Sequence, residues 1–232
     1  MTTTLITGAN KSLGYETARQ LIALGHTVYV GARDPERGRA AADELGGRFV
    51  QLDVTDDESV QNAVKQVQEE AGHLDVLVNN AGIPGPFVPA DQLTADDFRT
   101  VYEVNVFGAF RVLNAFLPLL KASDNPVVVN VSSGLGSIGM ATDPTVREAA
   151  WIPTPIYSSS KAALNMLTAQ YAHLNPEMRI NAVDPGYTAT DFNGHRGHQS
   201  IPEGAASIVR LATIDKTGPT ATYQRNSGLV PW

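Results

Sequence analysis

The stretch that decides the fold is Thr7-Gly8-Ala9-Asn10-Lys11-Ser12-Leu13-Gly14. It follows a short β-rich run, Thr3–Thr7, and precedes an amphipathic helical pattern over Tyr15–Leu24 and a second strand over Thr27–Val30. A strand, a glycine-bearing loop, a helix and a strand in this order predict a βαβ unit. In such a unit the loop binds a pyrophosphate at the N-terminus of the helix. The glycines alone would also suit a simple tight turn, so the flanking elements carry this interpretation.

Helices and strands continue to alternate along the rest of the chain. The pattern predicts an α/β fold with a single Rossmann-like, doubly wound parallel sheet of about seven strands, flanked by helices on both faces, and one domain over residues 1–232. Further helices are predicted over Pro35–Leu45, Asp56–Ala71, Thr94–Leu120, from Tyr157 onward and over Glu203–Ala212. Further strands are predicted over Arg48–Leu52, Leu74–Val78, Val127–Val131, Arg179–Val183 and near Thr220–Tyr223.

Composition excludes several classes of function. The 232 residues carry 17 lysines and arginines against 24 acids, a net charge of −7. This argues against nucleic-acid or anionic-membrane partners, although a local basic pocket could hold a phosphate. The absence of cysteine excludes disulfides, thiol nucleophiles and thiolate metal sites. No apolar run approaches the length of a membrane span, and Met1–Thr7 has no leader pattern, so we expect a cytoplasmic protein. His195 and His198 have no acidic or cysteine partner at ligand spacing, so we expect no metal.

The residue at the end of the second strand determines which of two dinucleotides is preferred. An acid there accepts a hydrogen bond from a ribose 2′-hydroxyl, whereas an arginine accommodates a 2′-phosphate. Arg33 comes first, and Lys11 in the glycine loop adds a second cation. Asp34 opposes this interpretation, but Asp34-Pro35 also suits the cap and first residue of the next helix. The sequence therefore favours NADP(H).

Polar side chains follow two buried strands at the edge where open α/β sheets bind ligands. Asn79-Asn80-Ala81-Gly82 ends one strand, and Ser132-Ser133-Gly134 ends another. Both stretches also suit local turn chemistry, in which the side chains cap the backbone. Asn105 lies in the apolar middle of a predicted helix, where an amide needs a partner. Structural pairing and active-site duty are both open for Asn105.

Tyr157 and Lys161 lie one turn apart at a predicted helix start. A tyrosine with an unperturbed pKa near 10 needs roughly 3–4 kcal/mol to lower that pKa by two to three units. A cation about 4 Å away, at an effective dielectric near 20, supplies about 4 kcal/mol. The pair could therefore form an acid/base group. The alternative is an ordinary exposed helix start.

Taken together, these stretches resemble the short-chain dehydrogenase/reductase family over essentially the whole chain. The order of the motifs and their placement at strand ends carry the resemblance. The matching residues are Thr7-Gly8-x-x-x-Ser12-x-Gly14, Asn79-Asn80-Ala81-Gly82, Asn105, Ser133, Tyr157-x-x-x-Lys161 and Pro185-Gly186.

The resemblance implies a catalytic group of four residues. Tyr157 would donate the proton in reduction, and Lys161 would tune it and bind the nicotinamide ribose. Ser133, rather than its neighbour Ser132, would hydrogen-bond the substrate oxygen. Asn105 would hold a water that links Lys161 to bulk solvent.

The resemblance also implies a cofactor site along the same edge. Lys11 and Arg33 match positions that mark NADP(H) preference in such enzymes. The implied cofactor-binding residues are Gly8, Ser12 and Gly14 at the pyrophosphate with Asn10, Lys11 and Leu13 beside them, Arg33, Asp53 and Val54 at the adenine, Asn80 and Ala81 at the adenosine ribose, Gly82, Tyr157, Lys161, Pro185, Gly186 and, at the carboxamide, Thr188.

Two departures from the family pattern stand out. Ser12 replaces a usual glycine and could crowd the pyrophosphate or donate a hydrogen bond to it. Ser133 and Tyr157 are 24 positions apart, which is more than the common spacing. The added segment, Met140–Pro155, resembles the insertion of the monomeric carbonyl-reductase branch, as do Gly218-Pro219-Thr220 and Pro231-Trp232. We therefore favour a monomer over a homo-oligomer.

The predicted function is NADP(H)-dependent reduction of a ketone, aldehyde or quinone to an alcohol. One alternative is a non-catalytic NADP(H)-binding sensor, since fold does not dictate function. Another is a nucleotide-sugar epimerase or dehydratase, which usually has a larger substrate domain than the residues after Pro185-Gly186 provide. An apolar pocket is predicted from Phe87, Met140, Trp151, Ile152, Tyr187 and Phe192.

Overall fold

The structure is a computed structural model and describes residues 1–146 and 154–232. Eight strands form one sheet within these residues. They are β1 (Thr3–Thr7), β2 (Thr27–Ala32), β3 (Arg48–Gln51), β4 (Val76–Asn79), β5 (Val127–Val131), β6 (Arg179–Val183), β7 (Tyr223–Arg225) and β8 (Gly228–Leu229). Their order is β3-β2-β1-β4-β5-β6-β7-β8. Strands β1 to β7 are parallel, and β8 pairs with β7 in the antiparallel direction. The predicted doubly wound parallel sheet is confirmed.

Eight α-helices accompany the sheet in the described ranges. They are α1 (Ser12–Ala23), α2 (Pro35–Leu45), α3 (Asp57–Ala71), α4 (Ala95–Tyr102), α5 (Ala109–Lys121), α6 (Ile138–Thr142), α7 (Pro155–Leu174) and α8 (Ile201–Ala212). One apolar cluster contains residues of α3, α5 and α7, and a second contains residues of α1, α2 and α8. The sheet therefore lies between two helical layers, as the sequence predicts.

Strand β5 shows why its sequence is apolar at nearly every position. Val128 belongs to the first cluster, whereas Val127, Val129 and Val131 belong to the second. Successive side chains of a strand point to opposite faces, and both faces of this sheet are covered. Full burial of one such side chain stabilises the fold by about 1.5–3 kcal/mol.

The predicted helix over Thr94–Leu120 is interrupted in the structure. Helix α4 runs into a π-helical turn, Glu103–Gly108, which then leads into α5. By length and composition alone, the combined Ala95–Lys121 segment is apolar enough to cross a bilayer, contrary to the expectation from sequence. Half of its most apolar window is buried inside the protein, which is also typical of a core helix.

The end of the sheet differs from the prediction too. The last predicted strand, Thr220–Tyr223, begins three residues later as β7, and β8 was missed. Ala221 has φ of +54°, in the left-handed region, so extended pairing cannot start before it. The hydroxyl of Thr220 instead accepts a hydrogen bond from the Ile180 amide at 3.1 Å.

The strand order reverses between β1 and β4. The carboxyl ends of β1, β4, β5 and β6 carry the glycine loop and the predicted polar stretches, and they lie at one edge of the sheet. This is the switch point at which open α/β sheets bind ligands.

Candidate active site

The glycine loop is fastened to the end of β4. The Asn80 side-chain amide donates to the carbonyls of Thr7 at 2.8 Å and Gly8 at 3.1 Å. The Thr7 hydroxyl accepts from the backbone amides of Asn80 and Ala81, both at 2.9 Å. A Cβ at Gly14 would lie 2.5 Å from Asn80 Nδ2 and 2.6 Å from the Gly8 carbonyl oxygen. The Asn80 side chain therefore caps the backbone of the glycine loop, which is one of the two roles that the sequence left open.

Ser12 begins α1 in an unusual backbone conformation. Its φ is +51°, in the region that favours glycine. A serine held there costs on the order of 1–3 kcal/mol, which explains the glycine usual at this position. The glycine loop therefore carries the Ser12 hydroxyl at the N-terminus of α1.

The end of β2 carries the two residues that bear on the choice of nucleotide. Arg33 is exposed just beyond the strand. Asp34 turns to cap α2, because its Oδ1 accepts from the amides of Glu36 at 3.0 Å and Arg37 at 3.1 Å. One carboxylate oxygen of Asp34, the acid that opposed NADP(H), is thus used to cap α2. Asp53, predicted at the adenine, likewise accepts from the Thr55 amide and hydroxyl, and Val54 is buried.

Lys11 binds an acid that sequence reasoning missed. Its Nζ lies 3.1 Å from Oδ2 of Asp191, on a short 3-10 turn, Asp191–Asn193, after β6. His195 Nε2 lies 3.0 Å from the other oxygen of Asp191. The hydrogen bond from Lys11 lowers the pKa of the Asp191 carboxyl, and His195 adds to this effect. The bridge ties the glycine loop to the start of the polar segment over residues 192–199.

Helix α7 presents the tyrosine–lysine pair. Pro155 is its first residue, and Lys161 is buried with 4% of its surface exposed. The Lys161 ammonium donates to the Val131 carbonyl at 2.7 Å and lies 5.7 Å from the centre of the Tyr157 ring. Burial lowers the pKa of Lys161 to about 8. A Cβ at Gly82 would lie 3.5 Å from this Nζ, so a glycine keeps the space around the amine open.

Tyr157 differs from the prediction in its acidity. Burial raises the pKa of its phenol well above the ordinary value, the Ser133 hydroxyl beside it lowers the pKa, and the Asp184 carboxylate raises it further. Lys161 does not lower the pKa of the phenol in this geometry, because its ammonium is directed at the Val131 carbonyl. Its role in tuning Tyr157 stays a prediction. The Tyr157 ring is half-buried, and the edge of Phe192 covers it with ring centres 5.4 Å apart.

Ser133 lies two residues after the end of β5, beside Tyr157. Its hydroxyl accepts from the Leu135 amide at 3.3 Å, and its backbone carbonyl accepts from the Tyr223 hydroxyl. Ser132 is buried, and its hydroxyl has no hydrogen-bond partner within residues 1–146 and 154–232. The hydroxyl next to the phenol is thus that of Ser133, as the resemblance implies.

Asn105 lies on the π-helical turn and joins two elements. Its Nδ2 donates to the Ile83 carbonyl and to Ser160 Oγ, both at 3.0 Å, while its Oδ1 accepts from the Ile83 amide at 2.8 Å. Ser160 in turn donates to the Tyr157 carbonyl at 2.7 Å. The structural pairing of Asn105 is therefore complete, and it braces the start of α7.

The turn after β6 completes the site. Gly186 has φ of +76°, and the Gln199 side chain fills the position where a Cβ would stand. Thr188 is buried, and its hydroxyl donates to the Pro185 carbonyl at 3.2 Å. Asp184 is also buried and accepts from the Gly186 amide at 3.0 Å. No sequence pattern singles out Asp184, because Asp-Pro also suits an ordinary turn.

Two predicted features lie partly outside the described residues. Trp151 and Ile152 fall within residues 147–153, as do seven of the 16 positions of the segment Met140–Pro155 that favoured a monomer. Phe87, Tyr187 and Phe192 are exposed, and Met140 is partly buried. Within residues 1–146 and 154–232, no three His, Cys, Asp or Glu residues are arranged to hold a metal ion.

The residues present fit a nicotinamide dinucleotide. The cradle at Gly8 and Gly14 leaves no room for side chains but leaves backbone open to a pyrophosphate, and Arg33 offers a cation at the ribose end. A phenol, an amine and a hydroxyl meet at the other end of the same edge. Such a group can bind an oxygen and exchange a proton with it.

Comparison with known proteins identifies the family of this chain. The family model described as short chain dehydrogenase matches residues 2–200. A short-chain dehydrogenase, anuI, from Penicillium roqueforti is 42% identical over 90% of this chain and 87% of its own. The (+)-neomenthol dehydrogenase of Arabidopsis thaliana is 36% identical over 90% of each chain. The NADPH-bound carbonyl reductase from chicken fatty liver superposes with a TM-score of 0.86 at 28% identity, covering 99% of this chain and 98% of its own.

Proposed function

Because the chain belongs to the short-chain dehydrogenase/reductase family, whose members act on carbonyls and alcohols, we propose that it reduces a ketone, aldehyde or quinone to an alcohol with NADPH. The observation that carries this proposal is the meeting of Ser133, Tyr157 and Lys161 at one sheet edge with the glycine loop. A protein that only sensed the nucleotide would have no use for a buried phenol beside a hydroxyl.

The proposed roles follow from the hydrogen-bonding capacity of each group. NADPH, when bound, supplies the hydride that the carbonyl carbon accepts. The hydroxyls of Ser133 and Tyr157 then donate to the substrate oxygen, where negative charge grows during the transfer. The Tyr157 phenol gives its proton to that oxygen. A phenol is protonated at neutral pH even at its ordinary pKa near 10, as a donor must be, and burial and Asp184 raise that pKa further.

Lys161 can balance the charge that this transfer leaves behind. Its ammonium lies over the face of the Tyr157 ring, 5.7 Å from the ring centre, and must release the Val131 carbonyl to take a new partner. An ammonium beside a phenolate favours the phenolate by Coulomb attraction. We propose that Lys161 makes this exchange when the dinucleotide binds, and that it also contacts the nicotinamide ribose.

The preference for NADP(H) rests on three residues. One carboxylate oxygen of Asp34 caps α2, while Arg33 is exposed at the same strand end and can meet a 2′-phosphate. Lys11 adds a second cation in the glycine loop. The similar carbonyl reductase from chicken fatty liver was solved with NADPH bound, which supports the same choice.

A carbonyl panel tests the proposal. The purified chain is incubated with NADPH and a series of ketones, aldehydes and quinones, and both NADPH loss and the alcohol product are measured. We expect stoichiometric NADPH oxidation and alcohol formation for at least one member. Tight NADPH binding without turnover of any carbonyl would support a sensor instead. Conversion of a nucleotide sugar with no net NADPH loss would support an epimerase.

A further inference from the structure

The segment from Tyr223 to Trp232 contacts the loop that carries Ser133. Tyr223 has 1% of its surface exposed, and its hydroxyl donates to the Ser133 carbonyl. Its ring stacks on Trp232, with centres 5.6 Å apart and planes at 28°. The phenol is thereby fixed by packing on one side and by a hydrogen bond at its tip.

The same segment holds the far end of that loop. The Ser137 hydroxyl donates to the Pro231 carbonyl at 2.5 Å, and the Gly139 amide donates to the Trp232 carbonyl at 2.8 Å. A Cβ at Gly139 would lie 2.9 Å from Pro231 Cβ, so the loop and the C-terminal segment are in close contact. The loop over residues 133–139 is therefore held at both ends by one segment.

The segment is itself anchored in the sheet. Tyr223 pairs with Ala182 of β6, and the Asp184 amide donates to the Gln224 carbonyl at 2.7 Å. The Val230 amide donates to the Tyr223 carbonyl at 2.8 Å. These bonds connect the segment from Tyr223 to Trp232 to strand β6 of the central sheet.

The Tyr223 phenol is suited to a permanent donor role. Burial raises its pKa above the ordinary value, and the Asp184 carboxylate raises it further. The Ser132 and Asn165 side chains near the hydroxyl lower the pKa in part. The phenol is protonated at neutral pH and can donate to the Ser133 carbonyl, as the geometry shows.

We propose that Tyr223 is a positioning residue for Ser133: its hydrogen bond to the Ser133 carbonyl, with Pro231 and Trp232 at the other end of the loop, sets where the Ser133 hydroxyl points. The inference rests on the proposed function for its catalytic consequence. The segment lies beyond residue 200, where the match to the family model ends. A catalytic hydroxyl must be held within about 0.5 Å of its productive place, so a loosened backbone lowers the rate.

The test begins with Tyr223→Phe, which keeps the ring and its stacking on Trp232 and removes one hydroxyl. We expect kcat for carbonyl reduction to fall about tenfold while the Kd for NADPH stays the same, since the lost contact serves the transition state rather than the nucleotide. The matched control is Tyr29→Phe. Tyr29 is fully buried in β2, and its hydroxyl bonds Glu70 at 3.1 Å, away from the site. That variant should keep its kcat.

A double-mutant cycle separates positioning from a general structural role. In a Ser133→Ala background, Tyr223→Phe should lower kcat no further, because the hydroxyl that it positions is gone. An equal fall in both backgrounds, or an unchanged kcat in the single variant, would overturn the proposal. Amide hydrogen exchange over residues 133–139 is measured in the same proteins and should quicken in Tyr223→Phe. If the wild-type chain reduces no carbonyl, the proposed function fails. Unchanged amide hydrogen exchange over residues 133–139 in Tyr223→Phe would separately refute the role of Tyr223 in holding this loop.

Discussion

Replacing Lys161 with methionine removes a buried charge and keeps a side chain of similar length. Lys161 is 4% exposed, and its ammonium contacts the Val131 carbonyl. No carboxylate lies within 4 Å of this ammonium in the described residues. The charge therefore destabilises the folded state relative to a neutral side chain, and the extent depends on pH.

The size of the effect follows from the pKa. Burial moves the pKa of Lys161 from 10.5 to about 8, which corresponds to about 3 kcal/mol of destabilisation when the lysine is charged in both states. Between these two values the unfolded chain binds more protons than the folded one, so the free energy of unfolding rises with pH. The penalty is complete below pH 8 and is largely relieved by pH 10.5. From neutral pH to about pH 10, wild type should gain about 2 kcal/mol relative to Lys161→Met.

Urea unfolding of the cofactor-free proteins at these two pH values measures the difference, with circular dichroism as the probe. The hydrogen bond lost at the Val131 carbonyl affects the variant at both values, so only the change with pH is diagnostic. Lys65→Met, on the exposed face of α3, is the control and should follow the wild-type pH curve. A difference between wild type and Lys161→Met that is constant across this range would refute the burial argument.

Three further predictions concern single contacts. Arg33→Ala should raise the Kd for NADPH at least tenfold, the loss of about 1.4 kcal/mol or more, and leave NADH unchanged; equal losses measured by titration would remove the 2′-phosphate argument. Asp184→Asn should lower the pKa of Tyr157, so the pH profile of alcohol oxidation, which needs the phenolate, should move to lower pH; an unmoved profile would contradict the electrostatic role. Asn105→Ala should lower the free energy of unfolding by about 1–3 kcal/mol, because the buried Ile83 backbone groups lose their partner; chemical denaturation measures the loss.

Local patterns predict the sheet and its order well. Strands β1, β5 and β6 and helix α2 begin and end at the predicted residues. Buried parallel strands are continuous apolar runs, and α2 has both a capping aspartate and a proline at its first position. In these elements the information lies within a few neighbouring residues.

The features that the sequence did not predict depend on contacts between distant residues. The π-helical turn places Asn105 against Ile83, 22 residues away, and helical periodicity carries no sign of that pairing. Likewise the contact of Tyr223 with Ser133 spans 90 positions, and the bridge from Lys11 to Asp191 spans 180. Motif spacing identified the groups at the sheet edge. It could not show that the Lys161 ammonium turns to Val131, because that depends on how deeply the amine is buried.

Replacing Tyr157 with phenylalanine tests the central claim most directly, with Tyr171→Phe on the same helix as control. The account predicts that Tyr157→Phe lowers kcat for carbonyl reduction by about 10²-fold or more while the Kd for NADPH measured by fluorescence titration is retained. The control should turn over as wild type does. Undiminished turnover in Tyr157→Phe would contradict the assignment of the phenol as the proton donor.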